Sequence, residues 1–102
     1  MYTKLGLFIG GKWIYKAKKG EDVLNPFDES VLGRLPHATE GDLNDAVKSA
    51  EKGFDEWRNT DPEIRSRVIL RAADILSERI SVISEVMTLE QGKPLAESAG
   101  EI

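Results

Sequence analysis

The residue types in this chain that could do chemistry are few. His37 is the single histidine, and there is no cysteine among the 102 residues. A thiol nucleophile, a disulfide and a thiolate-bound metal are therefore excluded within the chain, and one imidazole is too few for a multi-histidine metal site. A lone imidazole can still move a proton. No acid or nucleophile stands beside His37 in "LPHAT", however, so it reads as a loop residue. The pair Gly10-Gly11 in "LFIGGKWI" could cradle a phosphate, as glycine-rich turns opening a helix do. Nothing after it has a helical pattern, and no third glycine stands at the required spacing. Arg65, Arg67, Arg71 and Arg79 could also hold phosphate. Glu63, Asp74, Glu78 and Glu85 are interleaved with them, which predicts a solvated, salt-bridged helix face instead. Trp57 could stack on a ligand, but it lies on an apolar helical stripe, which points to core packing.

The elements that would position these residues follow from period and punctuation. Gly10-Gly11 separates two short runs, Leu7 to Ile9 and Lys12 to Tyr15. Paired glycines supply the positive φ angles of a tight hairpin turn, so a β-hairpin is expected there. "KAKKGED" (16–22) reads as a charged connector. "VL" and "SVLGRLP" then flank "NPFDE", where Asn25, Pro26 and Asp28 are turn formers, giving a second strand-turn-strand unit that Pro36 ends.

From Thr39 the period becomes helical. Thr39 and Asp42 form a capping-box pair that opens a helix near Glu40. Leu43, Ala46, Val47, Ala50, Phe54 and Trp57 share one face of it. Gly53 interrupts this helix at a cost of up to about 1 kcal/mol relative to Ala, which suggests a close neighbour. Asp61 and Pro62, as N-cap and first residue, open a second helix. Its apolar stripe runs through Ile64, Val68, Ala72, Ile75, Leu76, Ile83, Val86 and Met87. A single helix from Pro62 to Gln91 is expected, about 30 residues and ~45 Å long, longer than so small a domain needs. Gly92 caps it, Pro94 blocks continuation, and a new helical pattern opens at Leu95.

Composition sets outer limits. The chain is 40% hydrophobic and 31% charged with a formal net charge of -4. That mildly acidic balance argues against nucleic-acid binding, which calls for a basic field. No apolar run is long enough for a signal peptide or a membrane span, and a cytoplasmic setting is the expectation. The length allows one domain and cannot hold two complete nucleotide-binding halves.

Taken in order, "LFIGGKWI", "VLNPFDESVLGRLPHAT", "DLNDAVKSAEKGFDEWRNTDPEIRSRVILRAADIL" and "MTLEQGKPLAESAGEI" resemble the N-terminal region of the aldehyde dehydrogenase superfamily. The resemblance runs from about Leu7 to Ile102. Its last segment is most similar to semialdehyde-oxidising members such as the succinate-semialdehyde dehydrogenases. It implies an α/β aldehyde-dehydrogenase-like fold, N-terminal part only, with β-hairpins followed by long amphipathic helices. Residues 1–38 would be the N-terminal β-hairpin region, and 39–102 the incomplete helical part of the cofactor-binding domain.

The resemblance also implies a function. Family members oxidise an aldehyde to an acid with NAD or NADP, through a cysteine thiolate, oxyanion donors and a glutamate that activates water. All those roles would fall after position 102, so no catalytic or cofactor-binding residue is expected here, and the chain alone should be inactive. Several members are similar in holding a monovalent cation. Its ligands here would be the main-chain oxygen of Val23 or Leu24 and the carboxylate of Glu101, hard oxygen donors that suit such an ion. Many members carry Asp at the latter position, where this chain has Glu. The expected partners are the remainder of an enzyme or other copies of the chain in a homo-oligomer, with neither nucleic acid nor membrane. The alternative reading is a free-standing interaction module that keeps the fold and has lost the chemistry.

Overall fold

The structure, a computed structural model, describes residues 2–102. Its chain order is four short strands followed by four helices. β1 (Leu7–Ile9) and β2 (Lys12–Ile14) form the expected antiparallel hairpin, with Phe8 opposite Trp13. Gly10 and Gly11 turn it at φ +59° and +77°, angles that glycine adopts without steric cost.

β3 (Gly20–Leu24) pairs antiparallel with β4 (Val31–Pro36), with an irregularity in register between Val23 and Leu24. β3 starts earlier than expected, because the end of the charged connector is strand. Arg34 explains this: its guanidinium reaches Asp22 at 3.2 Å and the Gly20 carbonyl at 3.0 Å, so the charges pair across the ladder. The loop between these strands is held by short polar side chains. Asn25 Oδ1 accepts from the Phe27 N–H, and Asp28 Oδ1 accepts from the Ser30 N–H and hydroxyl. Those bonds from Ser30, its hydroxyl first, hold the Asp28 carboxyl below its ordinary pKa.

α1 (Glu40–Arg58) begins with the anticipated capping box: the Asp42 N–H donates to Thr39 Oγ1, and the Thr39 N–H donates to the Asp42 carboxylate. α2 (Pro62–Glu78) begins at Asp61, whose carboxylate accepts from the Glu63 N–H at 2.8 Å. The single helix expected from Pro62 to Gln91 is instead two, α2 and α3 (Ile80–Gln91), broken at Arg79. There the backbone sits at φ −107°, ψ 6°, and its N–H donates to the Leu76 carbonyl three residues back. No proline or glycine marks the break. The β-branched run Ile80, Val82, Ile83, set among Ser77, Ser81 and Ser84, is a weak stretch of helix, and Ser84 Oγ draws on the Ile80 carbonyl at 2.5 Å. Gly92 at φ +70° ends α3, and α4 (Leu95–Gly100) follows Pro94.

These elements do not enclose a core. Among the described residues no large apolar side chain is buried; the buried positions are Pro36, Ser84 and Ser98. The radius of gyration is 16.9 Å, against about 13 Å for a compact chain of 100 residues. Two sequence expectations fail for this reason. Trp57 lies exposed rather than in a core. Gly53 has open space where a Cβ would stand, so nothing packs closely there.

Candidate functional site

One constrained part of the molecule is a corner where the loop after β3 meets the junction of α3 and α4. Gly92 is required there twice over. Its left-handed backbone lets its N–H close α3 on the Thr88 carbonyl at 2.8 Å. A Cβ at this residue would also stand 3.0 Å from Pro26 Cγ, so the Asn25-Pro26 turn rests on the glycine. α4 then folds back on α3. Ser98 and Ser84 are 0% and 1% exposed, and Ser98 Oγ lies 3.0 Å from Thr88 Oγ1. Small hydroxylated residues let two helices approach closely while satisfying each other's polar atoms.

Tyr2 fastens the start of the chain to the same corner. Its ring packs over Gly33 of β4, and its hydroxyl donates to the Glu90 carboxylate on α3. Burial, the hydrogen bond to Glu90 and that carboxylate's charge together push the Tyr2 phenol up to about 12.

The two residues proposed as cation ligands both lie near this corner. Leu24 ends β3, paired with Val31, just before the Asn25-Pro26 turn. Glu101 follows α4, and its Oε1 sits 2.5 Å from the Lys93 ammonium. An ammonium already compensates that carboxylate, which is the charge a monovalent cation would bring. Among the described residues no three His, Cys, Asp or Glu side chains converge as metal ligands. An ion held there would have to share the Glu101 carboxylate with Lys93 or displace it.

The other candidates are scattered. His37 stands far from the corner, and its Nε2 is 3.7 Å from Glu21 of β3. Sequence reasoning missed that partner because it looked only at sequence neighbours. The strand pairing was the available signal: Glu21 lies opposite Leu35, two residues before the histidine. On α2, Arg71 bridges to Glu78 at 3.0 Å, as an interleaved face should. Arg65 does not follow that pattern, since its Nε is shielded from solvent with no hydrogen-bond partner. The hydroxyl–carboxylate pairs among the described residues, Ser30 with Asp28 and Thr39 with Asp42, close a turn and a helix cap.

What the architecture does match is a known family. The profile described as Aldehyde dehydrogenase family covers residues 13–102. The chain belongs to the aldehyde dehydrogenase family.

Its relatives narrow the picture. The methylmalonate-semialdehyde/malonate-semialdehyde dehydrogenase [acylating], mitochondrial, of Homo sapiens is 38% identical over 97 residues, which is 94% of this chain and 18% of the relative. A Sinorhizobium meliloti protein described as a methylmalonate-semialdehyde dehydrogenase, solved in complex with NAD, superimposes with a TM-score of 0.90. It is 30% identical, and the match covers 100% of this chain and 21% of that one. An NAD-dependent benzaldehyde dehydrogenase from Corynebacterium glutamicum also gives 0.90 at 30% identity, over 97% of this chain and 22% of its own. The chain thus spans about a fifth of the length of the relatives it matches. Its hairpins and succeeding helices are the N-terminal part of the aldehyde dehydrogenase fold.

Proposed function

We propose that this chain is the structural frame of an NAD- or NADP-dependent aldehyde dehydrogenase acting on a semialdehyde, and that it contributes shape and contacts rather than reacting groups. The observation that carries this reading is the unfilled packing. Leu43, Val47 and Phe54 on α1, with Ile64, Val68, Ile69 and Leu70 on α2, are all exposed. Each large apolar side chain left in water forgoes roughly 1.5–3 kcal/mol. Such faces are built to be covered, by the rest of an enzyme or by other copies of this chain. A free-standing module would instead present polar residues there.

In this proposal the oxidised cofactor supplies a hydride acceptor, and the groups that hold it lie outside residues 1–102. The absence of cysteine means that this segment offers no thiolate to attack a carbonyl. Among semialdehydes, the wording "MTLEQGKPLAES" favours a succinate-type substrate. The relatives' names favour a malonate or methylmalonate semialdehyde, and a match that runs over 97 residues gives that reading more weight than one short segment does. A cation bound by the Leu24 carbonyl and Glu101 belongs to the same proposal. It requires the ion to share the carboxylate with Lys93 or to displace it.

The test is to assay the purified chain, and a chimera in which it replaces the matching residues of the Homo sapiens relative, with malonate, methylmalonate and succinate semialdehydes. The chain alone should form no NADH or NADPH, while the chimera should turn over at least one semialdehyde. Turnover by the chain alone would overturn the proposal. So would a chimera that assembles and binds NAD yet oxidises only unrelated aldehydes.

A further inference from the structure

We draw no further inference here: the strongest candidate, the apolar strip of α2 formed by Ile64, Val68, Ala72 and Ile75 between Arg67 and Arg71, carries nothing, because nothing in the structure shows what covers it.

Discussion

The α3–α4 corner and the α1–α2 arm are written in the same local vocabulary and reach opposite states. At the corner, a left-handed glycine, a proline turn and two small hydroxylated residues bring separate elements into contact. Ser84 and Ser98 are shut away from solvent there, and Tyr2 reaches Glu90 from the far end of the sequence. On the arm, both helices have well-formed N-caps, yet their apolar faces stay largely exposed; Phe54 is 62% exposed. The difference shows that capping and packing are separable. A cap is closed by residues within one helical turn, so it forms whether or not a partner is present. Burial of an apolar stripe needs a second surface, and the corner has one where the arm does not.

The largest effect should come from the arm's bare faces. The isolated chain should elute above its 11.3 kDa monomer mass, or be partly unfolded, in light scattering across a dilution series. Replacing Leu43, Val47 and Phe54 together by serine should shift it toward monomer. A compact monomer at every concentration in the unaltered chain would erase the contrast between arm and corner.

Next in size is the corner itself. Gly92→Val forces a β-branched residue into a left-handed backbone and against Pro26, a strain of about 1–3 kcal/mol. Amide hydrogen exchange should quicken in α4 and at the end of α3, while α1 stays unchanged. Equal quickening in α1 would show that the two regions are coupled.

A smaller effect, about 1 kcal/mol, is expected from Thr39→Ala or Asp61→Ala, each of which removes a cap. Circular dichroism should register fewer helical residues, with the corner's exchange rates intact. Acid should weaken the same capping box from its other side, at the bonds the Asp42 carboxylate accepts. The Thr39 backbone N–H, then its hydroxyl, holds the Asp42 carboxyl below its ordinary pKa. The stabilisation is therefore present above the unfolded value of about 4 and is lost as pH falls through the lower folded value. Helicity in α1 that held steady through this range would remove the capping box from the account.

The smallest expected signal is the titration of Tyr2. Its raised pKa means that the phenol's contribution is complete below the unfolded value of about 10 and disappears as pH rises through about 12. In a Tyr15→Phe background, phenolate absorbance should follow that late titration, and Glu90→Gln should bring it earlier. A phenol that ionises near 10 in both would mean that Tyr2 does not reach the corner.

Most of the local structure was legible because its causes are local. Gly10-Gly11 favoured a tight turn over a phosphate cradle, Thr39 with Asp42 and Asp61 with Pro62 signalled helix starts, and Gly92-Lys93-Pro94 signalled a helix end. The order of these signals also carried the family. The features that escaped depend on residues far apart in sequence. The strand start at Gly20 needed Arg34 from the opposite strand. Glu21 became a neighbour of His37 only through the β3–β4 pairing. Lys93's hold on Glu101 required α4 to turn back toward α3, which changed what that carboxylate can bind. The break at Arg79 lay in between: its β-branched and serine-rich surroundings weaken a helix, but apolar periodicity runs straight through them. Periodicity likewise marked which faces of α1 and α2 are apolar and left open whether they would be buried. Burial depends on what stands opposite, and only the tertiary structure showed that among the described residues too little does to bury the large apolar side chains of these two helices.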